Sequence, residues 1–364
     1  MIYIDGATGE GGGQILRSSL SISAITGKPL CLYQIRANRK KPGLAPQHLT
    51  GLNAIAQICN AQVKGNHINS MSVEFIPQTS PQGGKYIFDV TEARKGGSAG
   101  AVTLVLQTIL LPLALADEDS QVILKGGTHV HFSPSITYIE NVYLPLLKQI
   151  GIEAKIELKT CGWYPIGCGE LILNIKGKGK ELLSYLKGIN LIQRGSLKQI
   201  KGVAIATKLP EHIPQRMAKN ATRLLKGHHP LVNIKSQILE GIASGAGIFL
   251  TAEYEHTTAG FSALGKRGLS SEKVAQMAVK SLLKFNQTKM AIDEFLADQL
   301  LLPLALSNEE SQYQVAKITQ HLETNAWLIE KLELAKVEIN YDNNIVKVLP
   351  QSKLIENKKN LIIN

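Results

Sequence analysis

The chain has 364 residues, with 40 lysines and arginines against 29 acidic residues and a formal net charge of +11. This length suits two domains better than one compact core. Hydrophobic residues make up 44% of the chain, which is typical of a globular protein. Apolar runs such as Ile109–Ala116 are too short to span a membrane, and the strand-like first residues predict no signal peptide. The four cysteines lack CxxC spacing, which disfavours a disulfide framework or a zinc ribbon and favours a reducing cytoplasm.

The surplus of positive charge allows two interpretations. It can form a solvated basic surface, or it can attract nucleic acid. Aromatic residues make up only 5% of the chain, which disfavours a long groove that stacks the bases of a single strand. The composition therefore favours recognition of a short RNA end through its phosphates.

Hydrophobic periodicity predicts strands and helices that alternate along the chain, which indicates an α/β fold. A strand–helix unit is used about three times in this pattern. The predicted strands of the three rounds are Met1–Asp5, Leu30–Arg36, Ser72–Ile76, Tyr86–Val90, Gln121–Leu124, 152–158, Glu170–Ile175, Tyr313–Ile318, Lys336–Tyr341 and Ile345–Leu349. The predicted helices are Gly12–Ile25, Gln47–Cys59, Ala99–Ala116, Tyr138–Ile150, Ile292–Ala305 and Leu322–Leu332.

A faint internal similarity accompanies this alternation. The segment LVLQTILLPLALA at 104–116 resembles DQLLLPLALS at 298–307. Leucine-rich helices also look alike without common origin, and periodicity alone does not separate the two explanations. The segment between the second and third rounds has its own predicted elements. The strands are Lys201–Thr207, Val232–Leu239 and Ile248–Tyr254, and the helices are Pro210–Leu225 and Ser271–Phe285. The polar tail Gln351–Asn364 is expected to fray.

Two segments near the start of the chain have the composition of an anion site. The first, IDGATGEGGGQILRSSL, contains five glycines with Glu10 and Arg17 across a predicted strand-to-helix junction. Glycine-rich turns let backbone N–H groups approach an anion, and a helix start adds its dipole. The second, RANRKKPGLAPQHLTGL, places four cations within six residues, namely Arg36, Arg39, Lys40 and Lys41. Together they predict a site for a polyanion such as a nucleotide or an RNA end.

These two segments resemble the RNA 3′-terminal phosphate cyclase family. The resemblance continues in order through the motifs at 96–117, 125–135, 264–272, 294–306 and 321–325, and an ordered set of long motifs is specific. It implies a large domain of three repeated βαβα-type units, similar to the C-terminal domain of translation initiation factor three. A smaller α/β domain is inserted into it. The implied boundaries are 1–184 and 287–364 for the large domain and 185–286 for the insert.

The resemblance also implies a ligase-class activity. Such an enzyme uses ATP to convert RNA 3′-phosphate ends into 2′,3′-cyclic phosphodiesters, through a covalent histidine–AMP and an RNA–adenylate anhydride. His321, at the predicted helix start in QHLETN, matches the family's nucleophile. Neutral imidazole has a free lone pair near pH 7, which suits this role. Glu10 matches an acid expected to hold Mg²⁺ or Mn²⁺ against the ATP phosphates.

The remaining site residues are assigned by the same resemblance. The phosphate-binding positions are Arg17, Arg36, Arg39 and Gln47. The nucleotide-binding positions are Gln107, Pro134, Phe295, Leu296, Ala297, Asp298 and Gln299. Phe295 is expected to stack on adenine, with Pro134 on its other face, and many relatives have tyrosine at the Phe295 position. Asp298 and Gln299 are expected to contact the nucleotide or its metal.

Without the resemblance, several of these residues have ordinary interpretations. His321 would be a helix-capping or surface histidine, Phe295 a core aromatic, and Glu10 a carboxylate at a helix start. His129 and His131, two residues apart, allow a metal pair but have no third ligand nearby in the sequence. His48 is expected to support its loop.

Two other functions remain open at this stage. One is the non-catalytic cyclase-like protein of ribosome assembly, which lacks the nucleophilic histidine. The other is an enolpyruvyl transferase, which also uses repeated α/β units but whose motifs this sequence does not resemble. No membrane partner is expected, and the sequence leaves the oligomeric state open.

Overall fold

A computed structural model describes residues 1–93 and 98–350. Gly96 and Gly97 of one family-like motif and the tail Gln351–Asn364 lie outside these residues. The strands of the described part are β1 (Ile2–Asp5), β2 (Leu30–Tyr33), β3 (Gln62–Lys64), β4 (Val73–Ile76), β5 (Gly84–Asp89), β6 (Ser120–Gly126), β7 (Ala154–Thr160), β8 (Gly169–Ile175), β9 (Asn190–Leu191), β10 (Leu197–Thr207), β11 (Val232–Ile238), β12 (Gly245–Tyr254), β13 (Thr258–Leu264), β14 (Ser311–Gln314), β15 (Ala335–Asn340) and β16 (Ile345–Pro350).

Helices connect these strands throughout. One π-helical segment, Ile139–Tyr143, continues into an α-helix. The α-helices are α1 (Gly13–Thr26), α2 (Pro46–Ile58), α3 (Val102–Ala114), α4 (Ile136–Tyr138), α5 (Leu144–Ile150), α6 (Leu182–Tyr185), α7 (His212–Lys226), α8 (Ser271–Thr288), α9 (Leu296–Ala305) and α10 (Gln320–Lys331). The predicted α/β class is therefore confirmed. Among the described residues, no helix is long and apolar enough to cross a membrane.

The strands form four sheets of four strands each, and three of the sheets have one topology. Their orders are β1-β2-β4-β3, β5-β6-β8-β7 and β9-β14-β16-β15. In each, the first two strands are parallel and the other neighbours are antiparallel. Parallel neighbours need a crossover, and α1, α3 and α9 lie in these three crossovers. The fourth sheet, β11-β10-β12-β13, has α7 as the crossover between its parallel strands.

Two main hydrophobic clusters lie beneath these layers. The larger cluster joins the first three sheets with their helices and includes Leu20, Leu52, Val105 and Leu300, all almost fully buried. The second lies between the fourth sheet and helices α7 and α8. Strand β9 falls inside the predicted insert 185–286 but pairs with β14, so its sheet belongs with the larger cluster.

Several element bounds differ from the predictions, for local reasons. The helix predicted from Ile292 begins at Leu296, because the Asp293 carboxylate accepts the N–H groups of Phe295 and Leu296 at 3.0 Å each. The helix predicted at Tyr138–Ile150 is divided by the π-helical segment. Strand β13 was not predicted, because its alanines and glycine have low β propensity, and it is held by antiparallel pairing with β12.

A buried arginine ties the start of the fourth sheet to the end of α8. Arg194 is 8% exposed and lies between β9 and β10. Its guanidinium donates to the carbonyl oxygens of Phe285 (3.2 Å), Asn286 (2.6 Å) and Met290 (3.3 Å). It also lies 4.5 Å from the ring centroid of Tyr254. One side chain thus satisfies three carbonyl groups where the chain enters and leaves this sheet.

Replacing Arg194 with methionine is expected to lower the free energy of unfolding by about 2–4 kcal/mol, because three carbonyl groups lose their donors. Urea unfolding measures the change. Lys284→Met, on the exposed side of α8, is the matched control and should change it by less than about 0.5 kcal/mol. Equal stability of the two variants would contradict the structural role given to Arg194.

Candidate active site

The glycine-rich loop after β1 lies against the start of α10, although the two are about three hundred residues apart in sequence. The backbone N–H of Glu10 donates to Thr324 Oγ1 at 3.0 Å. Gly9 has a left-handed φ of 61°, and a Cβ built on it would lie 2.2 Å from Thr324 Oγ1. Only glycine fits there, so the loop can approach α10 closely. This contact places Glu10 beside His321.

A row of hydrogen bonds orients the His321 ring. Gln14 Nε2 donates to Asp298 Oδ2 at 2.6 Å, so the oxygen of the Gln14 amide faces the other way. That oxygen, Oε1, is in hydrogen-bond contact with His321 Nδ1. An amide oxygen only accepts, so Nδ1 carries the proton and Nε2 keeps its lone pair. The arrangement therefore leaves Nε2 as the ring nitrogen with a free lone pair.

Nε2 of His321 faces a carboxylate that is paired with an arginine. It lies 3.8 Å from Glu10 Oε1, and the Arg39 guanidinium forms an ion pair with the same carboxylate. Half of the His321 side-chain surface is exposed, so a ligand can reach it. Burial, followed by the charges of Arg17 and Arg39, lowers the pKa of His321, which keeps the ring neutral at pH 7. A neutral nitrogen beside cationic side chains suits attack on a phosphate.

The charge of Arg17 acts on several groups at once. Burial lowers the pKa of Arg17 itself to about 10, so it stays protonated at neutral pH. Burial raises the pKa of Asp298 to about 7, while the Gln14 hydrogen bond and Arg17 oppose this shift. Burial, Arg17 and Arg36 hold the pKa of His48 well below its usual value. The site thus combines fixed positive charge with neutral imidazoles.

Hydrogen bonds between side chains and the backbone hold the second basic segment in place. Arg36 has a left-handed φ of 53°, and its Nη1 donates to the carbonyl oxygen of Gly43 at 2.7 Å. His48 Nδ1 accepts the N–H of Ala45 at 3.3 Å, so this histidine supports the loop, as predicted for it. Gln47 lies in the first turn of α2, half-buried, beside the backbone of Gly100. Arg39 thus projects from a loop fixed at both ends.

The residues assigned to the nucleotide are connected through α3 and α9. Gln107 Nε2 donates to Gln299 Oε1 at 2.7 Å, and Gln299 in turn contacts the carbonyl oxygen of Phe295. Thr103, one helical turn before Gln107, donates to the carbonyl oxygen of Pro134 at 2.8 Å. The chain of contacts brings these four assigned residues to one side of the site.

The exposure of these residues decides which atoms can meet a ligand. Phe295 is 59% exposed, so its ring is not a core aromatic. Leu296 and Ala297 are fully buried in the larger cluster, and their backbone N–H groups already donate to Asp293, so neither residue faces a ligand directly. Asp298 is half-buried and already accepts from Gln14.

Two residues that the structure places in the site, Gln14 and Asp293, were not predicted from the sequence. Gln14 lies three residues before Arg17 on α1, and this helical spacing places both on one face, which is the signal that could have found it. Asp293 precedes the start of α9 as a capping acid does. Besides capping α9, Asp293 accepts from the Tyr138 hydroxyl at 2.8 Å and from the N–H of Gly260 at 3.4 Å. It therefore holds the segment that carries Phe295.

In the alternative metal pair of His129 and His131, the ring of His129 is occupied by other contacts. The two ring nitrogens of His129 contact the hydroxyl groups of Thr128 (2.9 Å) and Thr137 (3.3 Å), and its ring stacks on Trp163. Burial lowers the pKa of His129 to about 3. Among the described residues, no group of three or more His, Cys, Asp or Glu side chains is arranged to hold a metal.

The position of the His321 titration is a direct test of this electrostatic arrangement. An NMR titration should place its midpoint below the usual value of 6.5. Arg39→Gln should raise that midpoint, because the variant removes a nearby cation and leaves Glu10 without its partner. Lys41→Gln, an exposed change two residues away, is the control and should leave it in place. A wild-type midpoint at or above 6.5 would contradict the arrangement.

Comparisons with known proteins identify the family. A sequence profile described as RNA 3′-terminal phosphate cyclase matches residues 8–339. The RNA 3′-terminal phosphate cyclase of Gloeothece citriformis is 55% identical, over 97% of this chain and 100% of the relative. The proteins of that name from Nostoc punctiforme and Pyrococcus furiosus are 55% and 40% identical, over 96% and 91% of this chain and 99% and 93% of the relatives.

One solved structure, the enolpyruvyl transferase NikO from Streptomyces tendae, aligns with 96% of this chain and 81% of its own. Its TM-score of 0.21 and identity of 9% are too low to carry an argument. The profile match and the relatives, by contrast, extend over almost the whole chain. The chain therefore belongs to the RNA 3′-terminal phosphate cyclase family, which is a family of enzymes.

Proposed function

We propose that this enzyme uses ATP to convert RNA 3′-phosphate ends into 2′,3′-cyclic phosphodiesters through a covalent His321–AMP intermediate. The observation that carries the proposal is the oriented lone pair on His321 Nε2, which faces the Glu10–Arg39 pair. Family membership supports the RNA substrate and the cyclisation.

In the first step, His321 Nε2 forms a bond to the α-phosphorus of ATP as the bond to pyrophosphate breaks. The ring becomes positively charged, and its Nδ1–H remains hydrogen-bonded to Gln14. Arg39 and the protonated Arg17 stabilise the charge that develops on the phosphate oxygens.

In the second step, an oxygen of the RNA 3′-phosphate attacks the AMP phosphorus, and His321 leaves as a neutral imidazole. In the third, the neighbouring 2′-oxygen attacks the 3′-phosphorus, loses its proton and expels AMP. This last step is intramolecular, so proximity supplies much of its rate.

A divalent cation, Mg²⁺ or Mn²⁺, fits beside Glu10 and would neutralise phosphate charge there. Glu10 is a single carboxylate, 13% exposed and directed at the site. Mg²⁺ commonly uses one or two protein carboxylates and takes its other ligands from water and substrate phosphates. Arg39 would then be released from Glu10 and become free to bind phosphate.

The nucleotide base is proposed to stack on the exposed ring of Phe295, with Pro134 on its other face. The contact between Gln107 and Gln299 supports this assignment, because it joins the helix beside Pro134 to the helix that follows Phe295. Stacking alone tolerates any purine, so polar groups near Gln299 are proposed to select adenine.

We also propose the domain organisation that the family resemblance implies. The three sheets of equal topology would be three repeated units, and the segment with the fourth sheet would be an insert in the third. The separate hydrophobic cluster of that segment supports the division. Because β9 pairs with β14, the insert is proposed to begin after Leu191 rather than at Tyr185.

The non-catalytic cyclase-like protein of ribosome assembly is the rival function. Incubation with α-labelled ATP separates the two, since only the enzyme forms a labelled protein–AMP adduct. The presence of His321, held by Gln14 beside Glu10, favours the enzyme.

His321→Asn is expected to abolish the adduct, because no nucleophilic nitrogen remains at that position. His67→Asn, at an exposed histidine, is the control and should label like the wild type. The wild-type adduct should be labile in acid and stable in alkali, as a P–N bond requires. Normal labelling of folded His321→Asn would exclude His321 as the nucleophile.

Phe295→Ala is expected to weaken ATP binding by about 5-fold to 150-fold, because a stacked base is worth about 1–3 kcal/mol. Phe295→Tyr keeps the ring and should bind ATP within about twofold of the wild type. Calorimetry on the two variants measures the difference. Tight ATP binding by Phe295→Ala would mean that the adenine lies elsewhere.

A further inference from the structure

The positive charge of this chain is concentrated in one part of it. Residues 185–286 contain fifteen lysines and arginines and five acidic residues, whereas the rest of the chain contains twenty-five and twenty-four. This segment therefore carries +10 of the total charge of +11. None of the residues assigned above to the nucleotide or its phosphates lies in it, so the charge has no role in the proposed chemistry.

Almost all of this charge is on the surface. Fourteen of the fifteen cations are exposed, and only Arg194 is buried. Three of the five carboxylates form ion pairs, and the pairs are Lys198 with Glu255, Lys201 with Glu253 and Arg216 with Glu272.

Helix α7 presents its cations on a single face. Arg216, Lys219, Arg223 and Lys226 follow one another at spacings of three, four and three residues. The buried residues of the helix, such as Met217, are on the opposite side, and His212–Lys226 contains no acidic residue. Like charges at these spacings destabilise a helix by about 0.2–0.5 kcal/mol per pair. A bound polyanion would remove this repulsion.

Helix α8 lies beside α7 and extends the positively charged surface. Lys273, Lys280 and Lys284 are exposed, and its one acidic residue, Glu272, pairs with Arg216 of α7. We call the seven cations of the two helices the basic helical face; its members are Arg216, Lys219, Arg223, Lys226, Lys273, Lys280 and Lys284.

The opposite side of the fourth sheet is covered by the rest of the protein. Ile205 and Phe249 pack there against Trp163 and Cys161, in the loop after β7. The two helices cover the other side of the sheet. The basic helical face is therefore the outer surface of this segment, open to a large ligand.

We propose that the basic helical face binds the phosphate backbone of the RNA upstream of its 3′ end. The inference rests on the proposed function for the identity of the polyanion. An anionic membrane is the less suitable occupant, because the apolar side of α7 is already buried in the second cluster and cannot enter lipid. The two helices present no exposed Phe, Tyr or Trp ring, since Phe285 is buried, so binding is through phosphates and independent of sequence.

The test compares two variants that each remove four exposed cations. Arg223→Gln, Lys226→Gln, Lys280→Gln and Lys284→Gln together reduce the basic helical face. The control combines Lys85→Gln, Lys148→Gln, Lys155→Gln and Lys347→Gln, which are exposed elsewhere in the chain. Fluorescence anisotropy measures binding of a twenty-nucleotide and a three-nucleotide RNA, both with a 3′-phosphate, over a range of salt concentrations.

The face variant is expected to bind the long RNA at least tenfold more weakly and the short RNA less than twofold more weakly. Its slope of log K against log salt should fall by about 0.7 for each RNA phosphate that the protein no longer neutralises. The control should retain the wild-type affinity within about twofold. Similar reductions in both variants, or a reduction on the short RNA as large as on the long one, would overturn the proposal. The proposal would also be overturned if anionic vesicles bound the wild type but not the face variant while the two proteins bound RNA equally well.

Formation of the AMP adduct and of cyclic RNA ends is measured separately from RNA binding, so each of the two proposals can be refuted without the other. Wild-type protein that binds long RNA but forms no AMP adduct and no cyclic ends would refute the proposed function alone. Protein that cyclises both RNAs, with long-RNA affinity equal in both variants, would refute the basic helical face alone. Circular dichroism and urea unfolding confirm that both variants are folded before binding is compared.

Discussion

The active site depends on one amide, that of Gln14, which joins three helices from opposite ends of the chain. Its nitrogen donates to Asp298 on α9, and its oxygen contacts His321 on α10. The orientation of the amide therefore decides which nitrogen of the imidazole is protonated. Asn325 reinforces the junction, because it donates to the carbonyl oxygen of Asp298 and accepts from Ser18.

Around this junction the protein solves an electrostatic problem. A histidine that acts as a nucleophile, as proposed for His321, must stay neutral, yet the proposed phosphate substrate needs cations close by. The same arginines meet both requirements, since Arg17 and Arg39 lower the pKa of His321 and also lie where phosphates are proposed to bind. The Glu10 carboxylate balances part of this charge through its ion pair with Arg39. Gly9 makes the arrangement possible, because any side chain there would push the loop away from α10.

The sequence predicts the α/β class and most elements to within a few residues, because amphipathic periodicity is a local signal. The exceptions have identifiable causes. The start of α9 is shifted by the Asp293 cap, and β13 is held by pairing with β12 rather than by its own propensity. Contacts such as Gln14 with Asp298 join residues 284 positions apart and leave no local pattern. Motif resemblance supplies the identities of site residues, but not the direction in which His321 presents its lone pair.

The three sheets with the same strand order differ greatly in the length of one connection. In each of the three similar sheets, a connection runs from the first strand to the crossover helix, namely to α1, α3 or α9. The first connection is the short glycine-rich loop with Glu10, and the third contains a segment with its own sheet and most of the net charge. Both end at helices that carry site residues, Gln14 and Asp298. The same position in two similar sheets thus holds a tight turn in one case and a separately packed segment in the other, while the helices that follow both meet at the Gln14 amide.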